Sequence, residues 1–225
     1  MNDILIRPLR FSADLAAMWE FLELLGLRSR IESERGGWVD MIGGRGMVAL
    51  HDSAASAMGA APGHTTLSFE ADDIDDLKDR LIAAGYEDAT IWDEAYGRVL
   101  SVTPSGGVQI WFDERAEDLY GYKVHDGAPD PRWSVKPRLT GADEAEWERF
   151  LAVLGGGQSV YYGSPADAFA VRIDLDTTEE LGAVAERVAG GGYEVRREAD
   201  RLIVADPDGQ TVVVHGLTSS GLEAR

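Results

Sequence analysis

The side chains that could do chemistry are few, and their types narrow that chemistry at once. The chain has no cysteine and four histidines, so disulfides, thiolate nucleophiles, thiolate metal sites and iron–sulfur clusters are excluded. A divalent metal would need three or four histidine or carboxylate donors at roughly 2.0–2.2 Å around an open position. His51 and His64 are the candidates, with Asp52 or Glu114 as the carboxylate, while His125 and His215 stand outside any motif. The other available chemistry is stacking. Trp19, Trp38, Trp92 and Trp111 all fall in the first half of the chain, and an indole offers a flat apolar face with one N–H donor.

Other motifs are structural. Gly43-Gly44-Arg45-Gly46 and Gly155-Gly156-Gly157 do not lie between a strand and a helix N-terminus, so they read as turns rather than phosphate cradles. No nucleophile-elbow sequence occurs. Asp72-Asp73-Ile74-Asp75-Asp76 suits a helix start, where the backbone dipole favours negative charge.

The elements that position these residues recur. An apolar strand at 4–11 leads into Leu15, Met18, Trp19, Leu22 and Leu25, a helical stripe that Ser12 or Asp14 caps and Gly26 stops. Trp19 is thereby assigned to the core. Strands follow at 27–33, 37–42 and 47–51. The order returns with a strand at 64–71, a helix carrying Ile74, Leu77, Leu81 and Ile82, and strands at 89–92, 99–103 and 108–112. Beyond a charged stretch with Gly121, Gly127, Pro129 and Pro131, the pattern repeats again. Trp147 to Gly155 echoes Trp19 to Gly26, Gly192-Tyr193-Glu194 echoes Gly85-Tyr86-Glu87, and Asp206-Pro207-Asp208-Gly209 echoes Thr103-Pro104-Ser105-Gly106. The third unit is short, with room for one strand at 158–162 after its helix. The expected organisation is a first domain at 1–116, a linker at 117–132, an abbreviated second domain at 133–217 and a tail at 218–225.

Four βαβββ-like units in two pairs, with helices ending in Leu-Gly and a Pro-containing turn before the last strand, resemble the vicinal oxygen chelate superfamily, which includes glyoxalases, bleomycin-resistance proteins and extradiol dioxygenases. The resemblance implies an α+β fold: tandem βαβββ modules whose mixed sheets curl into cups, with the second half abbreviated. It also implies a divalent metal held by His, Glu or Gln on the first and last strands of each unit. Carried onto this chain, those positions fall near Ile6 or Arg7, near Ala49 or Leu50, at His64 and at Ile110, with Gln109 and Trp111 on the opposite face. In the second half they fall near Ala168 and at Val213. Only His64 keeps a ligand side chain.

The expectation is therefore a metal-free cup with no catalytic residue, binding a small hydrophobic or aromatic molecule through His64, Trp38, Trp92, Ile110 and His51. The alternative is a lyase, isomerase or dioxygenase using Zn, Mn, Fe or Ni in a site rearranged around His64. A net charge of −19, from 21 basic and 40 acidic residues, repels phosphate backbones and anionic lipid, so neither nucleic acid nor membrane is an expected partner. The N-terminal residues show no signal pattern and no stretch approaches the roughly 20 apolar residues of a membrane span. A cytoplasmic monomer or homodimer is expected.

Overall fold

The computed structural model of the chain describes residues 3–57, 59–115, 118–155, 157–166 and 168–217; the expected tail at 218–225 lies outside them. Among the described residues α1 (Leu15–Leu24) and α2 (Ile74–Ala83) form where the apolar stripes predict, α3 (Glu144–Leu154) where the sequence echoes α1, and α4 (Leu181–Gly190) before the echoed Gly192-Tyr193-Glu194. Asp14, Asp73 and Asp143 each accept a backbone N–H from three residues ahead and so cap the first three helices. No described helix is long and apolar enough to cross a membrane.

The strands expected at 4–11 and 64–71 are each split in two. Pro8 has no N–H to give a ladder, and the chain changes sheet there. Ile4–Ile6 pairs antiparallel with Ser68–Ala71, whereas Leu9–Ser12 pairs parallel with Met47–Asp52 and antiparallel with Thr65–Thr66. A five-stranded sheet thus runs Ile4–Ile6, Ser68–Ala71, Val108–Glu114, Gly97–Ser105, Thr90–Glu94. A six-stranded sheet runs Tyr122–Val124, Arg28–Ser33, Trp38–Ile42, Met47–Asp52, Leu9–Ser12, Thr65–Thr66. The stretch expected as linker supplies Tyr122–Val124 to its edge.

The second half has a five-stranded sheet, Trp133–Val135, Asp174–Thr177, Thr211–Gly216, Arg201–Ala205, Val195–Arg197, and a three-stranded one, Tyr161–Tyr162, Arg138–Thr140, Ala170–Arg172. The third unit is abbreviated, as its length predicts: its strands among the described residues are Trp133–Val135, Arg138–Thr140 and Tyr161–Tyr162.

Two apolar cores hold the sheets, and both cross between the halves. One packs Met18, Phe21 and Leu22 of α1 with Val39, Met41 and Leu50, and also with Trp133, Leu175 and Val184 from the second half. The other joins Phe69, Leu77, Ile110 and Phe112 to Leu139, Trp147 and Phe150. The first unit therefore packs on the fourth and the second on the third. Trp19, expected in the core, lies half-buried at its edge and donates its indole N–H to Glu23 at 2.9 Å.

Specific contacts lock this pairing. Trp133 is fully buried against Gly26, whose φ of +90° and lack of side chain leave room for the indole; a Cβ there would collide with it. Arg10, 1 % exposed, forms an ion pair with Asp206, whose side chain is fully buried. The same Asp206 accepts the backbone N–H groups of Asp208 at 3.0 Å and Gln210 at 2.8 Å. The Asp-Pro-Asp-Gly turn is thus anchored on the first half.

Trp133→Ala should lower stability by about 3–5 kcal/mol. Because both cores are shared, urea unfolding of the parent should be one transition by fluorescence and circular dichroism alike. Two separated transitions would contradict a shared core.

Candidate functional site

Strand alternation sends neighbouring side chains to opposite faces, and in the first half it divides core from cup. On Trp38–Ile42, Val39 and Met41 join the α1 core, leaving Trp38 and Asp40 on the concave face. On Ser68–Ala71, Phe69 and Ala71 join the α2 core, leaving Ser68 and Glu70. On Val108–Glu114, Ile110 and Phe112 are core, while Trp111 and Asp113 lie beside Ser68 and Glu70 on the concave face.

Charge pairs form the floor of this cup. Arg7 lies where the chain passes from one sheet to the other. Its Nε donates to Asp40 on the six-stranded sheet at 3.0 Å, and its Nη1 to Asp113 on the five-stranded sheet. Arg30 spans the same seam, with Nη1 donating to Glu70 at 2.8 Å. Arg115 Nε adds a third donor to Glu70 at 2.7 Å. Asp40 and Arg7 are 1 % and 8 % exposed in their side chains. Burial opposes the charge on Arg7, but Asp40, Asp113 and Glu70 outweigh it and raise the guanidinium pKa further. Burial alone would likewise raise Glu70, yet bonding to Arg30 and Arg115 and the charge of Arg7 hold it below its ordinary value. Two buried atoms of the floor have no hydrogen-bond partner: Asp40 Oδ2 and Arg30 Nε.

Aromatic side chains rise from this floor. The Arg7 guanidinium lies 5.5 Å from the Trp38 ring centre, and Trp38 meets Tyr122 edge-on at 5.7 Å. Trp92 meets Trp111 edge-on at 5.9 Å, and its indole N–H donates to Glu94 at 2.8 Å. Burial and the nearby Asp113 carboxylate push the Tyr96 hydroxyl up to about 12, so it stays protonated.

The residues singled out by sequence are thus dispersed. Trp38 and Trp92 lie on the concave face. Ile110 does not: it is fully buried in the α2 core, and Trp111, expected to point away, faces the cup. The register differs by one residue because Phe112 and Ile110 together face the helix. His64 lies at the seam between the halves, in a cavity of about 460 Å³ lined also by Gln109, Phe169 and Gln210. His51 bonds through Nδ1 to the Asp52 carbonyl at 2.7 Å. Both histidine rings flank Phe11, at 5.5 and 6.1 Å. Asp52 caps a short turn and Glu114 binds Arg98, so the four do not converge. Among the described residues no three histidine or carboxylate side chains group to hold a metal ion.

Arg7 cannot ligate a metal and so stands outside the sequence-predicted site, as do Asp40, Glu70 and Asp113. The available signal was an aspartate within Val39-Asp40-Met41-Ile42 and a glutamate within Ser68-Phe69-Glu70-Ala71, acids in apolar strands that need cations when buried.

No protein-family model and no curated protein sequence matches the chain. Solved structures do match. A catechol 2,3-dioxygenase superposes with TM-score 0.64 at 14 % identity, over 95 % of this chain and 87 % of that one. A mutant of 4-hydroxymandelate synthase from Streptomyces coelicolor gives 0.59 at 12 %, over 97 % and 94 %. The Mn(II)-bound glyoxalase from Novosphingobium aromaticivorans gives 0.58 at 14 %, over 94 % and 80 %. The chain has the vicinal oxygen chelate fold.

Arg7→Leu removes the hydrogen-bonded cation of Asp40, leaving it only Arg30 at 3.6 Å, and that of Asp113, and should cost about 3–5 kcal/mol, while Arg7→Leu/Asp40→Leu should recover part of that loss; chemical denaturation of both variants measures it. Glu70, depressed in the folded state, stabilises the protein above its ordinary value of 4.5. That contribution is lost as pH falls through the folded value, so Glu70→Gln should flatten the acid limb of the stability profile below about pH 4.5.

Proposed function

We propose that this chain is a glyoxalase- and bleomycin-resistance-like binding protein that holds a small planar aromatic molecule in its N-terminal cup without a metal. The observation that carries this reading is the shared concave placement of Trp38, Trp92 and Trp111, with Tyr96 and Tyr122 beside them, over a floor of paired charges. Indole and phenol rings supply stacking and edge contacts worth about 0.5–1.5 kcal/mol each beyond area burial. Asp40 Oδ2, which has only a 3.6 Å ion-pair contact with Arg30 Nη2, and Arg30 Nε make no hydrogen bond, which favours a ligand, or a water beneath it, able both to accept and to donate one.

The donor set does not fit a divalent ion. Asp40, Glu70 and Asp113 are each bonded to a guanidinium, and a cation entering between them would have to displace a buried arginine. Separating such a pair strands a desolvated charge, which is strongly unfavourable. The solved dioxygenase and glyoxalase structures share the fold at 14 % identity, too little for an activity to follow from the likeness.

Titrating quinoline and 2-naphthol into chelator-treated protein should quench tryptophan fluorescence saturably. Trp38→Leu and Trp111→Leu should each weaken binding by on the order of ten-fold, about 1.4 kcal/mol. Linear, non-saturating quenching with both probes, or parental affinity in both variants, would overturn the reading.

A further inference from the structure

The concave face of the first cup runs on past its indoles toward the second half. Directly paired residues of neighbouring strands share a face, and two rows of such pairs cross the six-stranded sheet. Asp40 pairs with Ala49, Ala49 with Leu9, and Leu9 with Thr66. Trp38 pairs with His51 and His51 with Phe11, and the His64 ring closes that row 6.1 Å from Phe11. Three strand spacings separate Trp38 from His64, roughly 14 Å, which is longer than a bicyclic aromatic. On the facing sheet Gln109 lies two residues before Trp111, roughly 7 Å along the strand. It shares the concave side, because its amide donates at 3.3 Å to Ser101, the strand partner of Trp111. Thr66, Gln109 and His64 thus belong to the cup, and all three line the cavity of about 460 Å³ at the seam between the halves.

This cavity differs from the cup floor in its chemistry. Among the described residues no carboxylate, ammonium or guanidinium lines it. Its apolar wall joins Val108 to Phe169 and Val171 of the second half, and Phe169 is held by stacking on Trp147 at 5.4 Å. Its polar side chains include Thr66, Gln109, His64 and, from the second half, Gln210. The Gln210 side chain packs on Gly63, where a Cβ would stand 2.9 Å from it. A chain lodged here would bury apolar surface, which is favourable, whereas a charged group would be desolvated with no ion to pair it.

We propose that the ligand of the aromatic cup is elongated: its ring lies among Trp38, Trp92 and Trp111, and an uncharged, largely apolar chain joined to the ring through an amide runs past Gln109 into the seam cavity. The second half supplies the far wall. Gln109 Oε1 accepts the N–H of the linking amide, since its own amide nitrogen is turned to Ser101. This rests on the aromatic reading of the cup and adds to it the class of substituent that the ring carries.

Isothermal titration calorimetry of the full chain with 2-naphthamide, N-hexyl-2-naphthamide and the same hexyl derivative ending in a carboxylate tests it. The neutral chain is expected to tighten binding over 2-naphthamide by on the order of ten-fold or more, and the carboxylate-ended chain to give no such gain. Ala170→Glu and Gln210→Glu, both at exposed positions lining the cavity, should each cancel the gain, with thermal melts reporting that they fold; either folded variant decides. Equal affinity for 2-naphthamide and its hexyl derivative, an equal gain from the charged chain, or a gain kept in the folded variants would overturn this inference and leave the aromatic reading standing. No saturable binding of 2-naphthamide itself would overturn both.

Discussion

Arg7 is the constraint on which the first half depends. It sits where one chain segment leaves the five-stranded sheet and enters the six-stranded one, and its guanidinium holds a carboxylate from each. A buried ion pair adds little net stability compared with apolar packing, but it is geometrically exacting, because a misplaced partner leaves a desolvated charge. That fixes the angle between the sheets and hence the shape of the cup. Arg30 repeats the device one residue pair away through Glu70.

The repeat order, the helix caps, the hairpin at Gly43 to Gly46 and the shortness of the third unit were legible in the sequence because each is local. Apolar spacing marks a face, and Gly or Asp marks an end. What was not legible was which face meets which. Periodicity shows that α1 and α4 each have an apolar stripe, not that Trp133 passes beneath Gly26 to join them. Ile110 was misassigned by one residue for a related reason: alternation fixes parity only relative to a strand neighbour, and Phe112 sets it here by stacking on Phe69 at 4.9 Å. The charged floor was hidden because its members lie far apart in the chain, Arg7, Asp40, Glu70 and Asp113, and only the fold brings them within bonding distance.

The internal duplication also shows how one scaffold can diverge within one chain. In both halves the side chains opposite the apolar cores include buried carboxylates held by guanidinium groups. The first half carries paired charges and indoles on that face, the second Asp174 bonded by Arg138, Arg172 and His215, and Asp176 bonded by the Tyr161 hydroxyl. Shared cores tie the two faces to one folding unit while leaving their chemistry independent.

Guanidinium groups neutralise the carboxylates of the first cup, which under the proposed reading leaves no place there for a metal ion. Electron paramagnetic resonance of Mn²⁺ titrated into chelator-treated protein tests it most directly, because bound and free Mn²⁺ give distinct signals. The free-ion signal is expected to persist at equimolar metal in the parent protein. Stoichiometric loss of that signal, restored in Asp113→Asn or Glu70→Gln, would contradict it.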